Sequence, residues 1–285
     1  MQGPGDRRDP RQGLGRGFRP MLARILICAG SDSGGGAGVQ ADIKSVMALG
    51  GYAATAITAL TAQNTLGVHG VVPVEVWFIR AQMRAVLDDI GADAVKTGML
   101  HDSATIAAVV AELPAGVPLV ADPVMVAKGG HPLLLEDAVA ALRALLVPVA
   151  ALVTPNLPEA AILAGFPVVD EASMLRAGEA ILAMGAGAVL VKGGHLEGDA
   201  LVDLLITRDG VTRFQDRRIA TRHTHGTGCT LASAIACGLG QGLGLVEAVA
   251  RGRRYVRAAI LAAPGIGGGH GPLAHGVTVD PSRID

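Results

Sequence analysis

The chain has 285 residues, half of them hydrophobic and 17% charged, which suits one large α/β domain with a sizeable core. A net charge of −1 leaves no basic surplus for nucleic acid or an anionic membrane surface. Aromatics at 2% leave the core to Ala, Val, Leu and Ile, and every apolar run is interrupted by Gly or charge before it could span a membrane.

Residues 1–20 are dominated by Gly, Pro and Arg and read as a disordered extension, leaving 21–285 as a single domain. Arg24 to Ala29 reads as a buried strand and Gly38 to Leu49 as a helix closed by Gly50-Gly51. Ala53 to Leu60 is a second strand, and Pro73 to Asp89 a helix with Pro at its start. A strand at Ala94 to Thr97, a helix at Ser103 to Leu113 and a strand at Pro118 to Asp122 follow. Leu133 to Leu146 reads as a helix, Ala151 to Thr154 as a strand, and Leu157 to Ala164 and Glu171 to Met184 as helices. Ala188 to Lys192 is a strand. Ala200 to Ile206 and Val211 to Arg217 flank Arg208-Asp209-Gly210 as a hairpin. Helices at Gly228 to Gln241 and Leu245 to Ala263 precede a Gly- and His-rich loop, Gly265 to Gly276. This alternation predicts a mostly parallel sheet with helices on both faces and a small antiparallel hairpin at one end.

In such sheets ligands sit beyond the carboxyl ends of the strands, and the unusual residues gather there. Gly226-Thr227-Gly228-Cys229 opens the helix after the hairpin, so free amides and the positive end of the dipole make an anion site. Cys229 in that field is biased toward thiolate and reads as a base for phosphoryl transfer to a hydroxyl, or as a buried structural cysteine. The loop from Gly30 to Gly38 lacks both the dinucleotide and the P-loop spacing. It is a flexible turn or a close approach to a small substrate. Asp42 is a substrate contact or a solvated helical carboxylate, and Gln63 pairs with an amidine-like ring edge or satisfies backbone. Asn156 and Glu159 form a capping box, orient waters on Mg²⁺, or do both, with Asp122 near the same metal or the phosphates. Lys192 spreads charge over transferring phosphates or lies at the surface. The three cysteines, Cys28, Cys229 and Cys237, follow no metal or disulfide spacing, which suits a reducing cytoplasm.

Taken together, the segments Ala29 to Asp42, Ala62-Gln63-Asn64-Thr65, Gly98-Met99-Leu100, Asp122-Pro123-Val124, Thr154 to Glu159, Lys192 to His195 and His225 to Thr230 carry a resemblance. From about Arg24 to His275 the chain resembles the hydroxymethylpyrimidine/phosphomethylpyrimidine kinases of thiamine biosynthesis, in the ribokinase-like superfamily. The resemblance implies an ATP- and Mg²⁺-dependent, cytoplasmic homodimer. Such an enzyme phosphorylates 4-amino-5-hydroxymethyl-2-methylpyrimidine, then its monophosphate. It assigns Gln63, Asp42, Gly30, Met99 and Val124 to substrate. Asn156, Lys192, Thr227 and Gly228 go to nucleotide phosphates, and Glu159 and Asp122 to metal through water. Cys229, Lys192, Gly226 and Gly228 carry the chemistry. Thr97, Arg222 and His223 depart from the family pattern near the expected pocket. A pyridoxal kinase is the nearest rival. A non-catalytic pyrimidine sensor is disfavoured because Lys192 and the glycine turn are intact.

Overall fold

The computed structural model describes residues 22–126, 130–131, 133–135, 137–194, 196, 198–280 and 282. The expected extension at 1–20 and His195 lie outside them. The strands are β1 (Arg24–Asp32), β2 (Tyr52–Gln63), β3 (Val68–Pro73), β4 (Ala94–Thr97), β5 (Leu119–Ala121), β6 (Leu152–Val153), β7 (Ala188–Lys192), β8 (Ala200–Thr207) and β9 (Gly210–Arg217). They form one sheet in the order β3-β2-β1-β4-β5-β6-β7-β8-β9. The six strands from β2 to β7 in that order run parallel, β3 is antiparallel at one edge, and β8–β9 is the expected hairpin at the other.

The helices are α1 (Gly38–Ala48), α2 (Val76–Asp89), α3 (Ser103–Ala111), α4 (Ala138–Ala141), α5 (Leu157–Ala164), α6 (Glu171–Ala183), α7 (Thr227–Gly240) and α8 (Leu245–Leu261). Successive strand side chains point to opposite faces, so one apolar run can serve two cores. Leu26 and Cys28 of β1 face α2, α3, α5 and α6, whereas Ile25, Ile27 and Ala29 face α1, α7 and α8. Val189 and Val191 of β7 divide from Ala188 and Leu190 in the same way. Each Ile or Leu so enclosed contributes roughly 2 kcal/mol.

Three expectations were overturned in detail. β1 runs on to Asp32, because Ser31 and Asp32 pair with Leu60 and Thr61 across a bulge. Pro73 does not open a helix: it ends the edge strand β3, where a missing N–H costs nothing, and α2 starts at Val76. The helix expected from Leu133 starts only at Ala138, because the Leu133 and Leu134 amides bond the Met125 carbonyl and Leu135 that of His101. It then widens into a π segment, Leu142–Leu146, and a 3₁₀ turn, Val147–Val149, at Pro148, a residue an α-helix interior does not accommodate.

Candidate active site

The carboxyl ends of β1, β2, β4, β5, β6 and β7 open on one rim of the sheet, and α7 starts over that rim. Gly226 takes φ 83° at the N-cap and supplies no side-chain cap. A β-carbon there would overlap the Gly36 carbonyl oxygen, so glycine is required both by the backbone and by the loop lying against it. The first-turn amides and the positive helix end therefore face the rim without a capping side chain. Gly228, two residues on in the same first turn, is where a β-carbon would sit 3.4 Å from Lys192 Nζ and 3.5 Å from an Asp122 oxygen. Thr227 is the first residue of the helix.

Lys192, at the end of β7, donates to Asp122 Oδ1 at 3.0 Å, and Thr154 Oγ1 donates to the same oxygen at 3.0 Å. Burial works against the Lys192 charge, but Asp122 and Glu159 outweigh it and hold the ammonium above its usual range. The turn behind Lys192 is pinned. The Gly193 amide donates to Asp203 Oδ1 at 2.9 Å, and Asp203 is ion-paired with Arg253 of α8 at 3.0 Å. Asn156 and Glu159 form the expected capping box on α5, with bonds of 2.9 and 2.8 Å. Burial pushes the Glu159 carboxyl up to about 7; Lys192 opposes the shift and Asp122 adds to it. Among the described residues, no three His, Cys, Asp or Glu converge as a metal site.

Gly30, Met99 and Val124 come together as the apolar floor. A β-carbon on Gly30 would meet Met99 Sδ at 2.9 Å, and Val124 packs on Met99, Ala59 and Leu133. Gln63 stands at the end of β2, with its amide 3.1 Å from Thr61 Oγ1 and 3.4 Å from His225 Nε2. His225 in turn bonds Asp32 Oδ2 at 2.8 Å. The Asp32 carboxylate also accepts from the amides of Gly34, Gly36 and Ala37, which folds the glycine loop around it. Burial raises Asp32, but His225 and the loop amides outweigh it and hold the carboxyl below its ordinary range.

Beneath this floor lies a pair the sequence reading missed. Lys96 of β4 has no exposed surface, and its Nζ lies 2.8 Å from both oxygens of Asp42. Ser233 of α7 donates to Asp42 Oδ1 at 2.7 Å. Asp42 is thus not solvated: it has no exposed surface, and both its oxygens are engaged. The signal was available, because a lysine inside the apolar strand Ala94-Val95-Lys96-Thr97 needs a buried carboxylate partner. The expected thiolate is also corrected. Cys229 keeps some surface, yet burial pushes its thiol up to about 12; Lys96 opposes this, and Asp42 and Asp122 reinforce it. A helix end lowers a thiol only where water or fixed charge balances the burial. Asp32 was likewise not singled out as a ligand for its own loop.

A separate groove of about 750 Å³ flanks α5, lined by Leu157, Pro158, Val168, Val169 and Leu196 among others, and none of the glycine turns reaches it. No described helix is long and apolar enough to cross a membrane.

Known proteins resemble the chain over most of its length. The model of the phosphomethylpyrimidine kinase family matches residues 32–274. A hydroxymethylpyrimidine/phosphomethylpyrimidine kinase of Streptomyces coelicolor is 52% identical over 254 residues, covering 88% of this chain and 94% of that one. The phosphomethylpyrimidine kinase structure from Clostridium difficile is 40% identical with a TM-score of 0.74, covering 84% of this chain and 99% of that one. The pyridoxal kinase of Staphylococcus aureus in complex with AMP-PCP and pyridoxal is 32% identical with a TM-score of 0.84, covering 91% and 96%. The chain belongs to the phosphomethylpyrimidine kinase family.

Proposed function

We propose that this chain, as a member of that family, uses ATP to phosphorylate 4-amino-5-hydroxymethyl-2-methylpyrimidine and then the monophosphate it has made. One observation carries the reading. The uncapped amides of α7, Lys192 Nζ and Asp122 surround a single point beside Gly228, within the rim that Gly30, Met99, Val124 and Gln63 floor. An anion placed there is held by fixed amides and one ammonium while a hydroxyl on the floor reaches it.

Phosphoryl transfer proceeds through a loose transition state, so positioning and charge neutralisation outweigh base strength. Lys192 follows the charge of the migrating group, and the amides at Gly226, Thr227, Gly228 and Cys229 hold its oxygens. Cys229 enters as a neutral thiol rather than a standing thiolate, so it orients the substrate hydroxyl and is not required to remove its proton beforehand. Lys96 and Asp42 support this turn from below, which makes Asp42 a pillar under the pocket. Asn156 orients the nucleotide end of the site.

The donor set fits Mg²⁺. Glu159 and Asp122 offer oxygen, the Asp122 carboxylate adds to the cost of charging Glu159, and a dication relieves that repulsion. Both would hold the ion through water, and the ion would neutralise phosphate charge during transfer. The protein is further proposed to act in the cytoplasm as a homodimer, on a small-molecule substrate and not on nucleic acid or membrane.

Pyridoxal kinases superpose slightly better on the fold, but sequence identity favours the pyrimidine kinases. A coupled ADP-release assay with the hydroxymethyl pyrimidine, its monophosphate and pyridoxal side by side decides the matter. Turnover of the first two is expected. Turnover of pyridoxal alone overturns the assignment.

A further inference from the structure

β7 stops at Lys192, and there side chains take over from the ladder. Lys192 pairs with Asp203 of β8, and its own amide donates to the Pro155 carbonyl at 2.9 Å. Gly193 leaves the sheet, because a β-carbon there would overlap the Val202 carbonyl oxygen. Its amide donates instead to the Asp203 side chain, with Oδ1 at 2.9 Å. Lys192, Asp203 and Phe214 stand opposite one another across β7, β8 and β9, so their side chains share one face. Arg253 of α8 covers that face. It pairs with Asp203 Oδ2 at 3.0 Å and with Asp216 Oδ2 at 2.7 Å, and its guanidinium lies 5.2 Å from the Phe214 ring centroid. Asp203 and Arg253 are both buried.

Stability does not account for this pair. A neutral acceptor would serve the Gly193 amide, and a buried ion pair adds little over apolar side chains of the same volume. What the charges add is direction. A carboxylate whose second oxygen is held by a guanidinium does not turn away from the amide it accepts. Nor does it reach across the ladder to its neighbour Lys192 and draw the ammonium off Asp122.

We propose that Asp203 and Arg253 are positioning residues for phosphoryl transfer: Asp203, aimed by Arg253, fixes the Lys192–Gly193 peptide and thereby the place of Lys192 Nζ beside Gly228. The inference rests on the proposed role of Lys192. The lysine is held at both ends, at its head by Asp122 at 3.0 Å and at its root by Asp203 through the Gly193 amide. Its side-chain torsions are thus restricted before the nucleotide arrives, and little reorganisation is left for the transfer itself. Both residues act through Lys192.

The test measures ADP release with 4-amino-5-hydroxymethyl-2-methylpyrimidine for the wild type, for Arg253→Lys and for the paired variant Asp203→Leu/Arg253→Met, each with Lys192 and with Lys192→Met. Both members of the pair are replaced together so that neither charge is stranded. With Lys192 in place, kcat should fall about ten- to a hundredfold in the paired variant, the cost of a misplaced group, while KM for the pyrimidine holds. Arg253→Lys keeps a cation beside Asp203 and gives up the fork, so it should lose about fivefold, the worth of one hydrogen bond. In the Lys192→Met background both losses should vanish, because a residue acting only through Lys192 has nothing left to position. A loss of the same size in that background marks general damage and overturns the inference. An unimpaired kcat in the paired variant also overturns it, and where that variant does not fold, an unimpaired Arg253→Lys does so. If Lys192→Met alone is slow while the pair proves dispensable, the inference sinks and the proposed function stands. A wild type that releases no ADP, or a Lys192→Met enzyme as fast as the wild type, sinks the proposed reading and the inference together.

Discussion

Gly228→Ala separates what α7 does for stability from what it does for chemistry. Gly228 lies in the first turn of the helix and does not hold a positive φ, so alanine fits its backbone. The new methyl would stand 3.4 Å from Lys192 Nζ and 3.5 Å from Asp122, ordinary contact distances. Replacing glycine by alanine inside a helix stabilises by up to about 1 kcal/mol, so the melting temperature should hold or rise. The same methyl fills the point where the transferring phosphoryl oxygens are proposed to lie. Displacing an anion from fixed donors costs about 10²–10³ in kcat. The assay pairs ADP release under saturating nucleotide with a thermal melt. An unimpaired kcat in Gly228→Ala refutes the reasoning about this turn. So does a kcat loss matched by a fall in melting temperature, since the damage would then be to the fold.

Two other variants and a labelling experiment probe neighbouring features. The Glu159 carboxyl stands near 7 in the fold and near 4.5 when released, so its proton stabilises the folded state fully below about pH 4.5, and this is lost as pH rises through about 7. Glu159→Gln should flatten that slope, worth about 3 kcal/mol at most, in urea titrations across the window, and an unchanged slope refutes the assignment. Cys229 should label with iodoacetamide at pH 8 at least about a hundredfold more slowly than a free cysteine, because its thiol is held protonated; labelling at the free-thiol rate contradicts this. Thr97 Oγ1 is buried without a partner, so Thr97→Val should raise stability by about 1 kcal/mol in urea, and a fall would show the hydroxyl is satisfied after all.

Much of this architecture was legible because its signals are local. β7 and α5 were bounded correctly from sequence, since a four-residue apolar run closed by Lys192 and an Asn-x-x-Glu start each fix their own ends. The rim glycines and Lys192 could be placed because strand ends in a parallel sheet share one edge. What stayed hidden depends on distant partners. β3 carries Gly70 and Pro73, and only its pairing with β2 makes it a strand. Asp42 looked like a solvated carboxylate because Lys96 is 54 residues away and Ser233 is 191. The state of Cys229 was misjudged for the same reason, because a helix end is visible in sequence and the burial around a sulfur is not.

The Lys96–Asp42 pair also bears on how the chain reaches its final form. Its two charges are on the second and sixth segments to leave the ribosome, yet α7, which roofs them and supplies the Ser233 bond, emerges near the end. An ammonium and a carboxylate half-stripped of water are costly until that roof arrives. The burial of the pair is therefore complete only once α7 has been made, however early the apolar segments of the amino-terminal half come together.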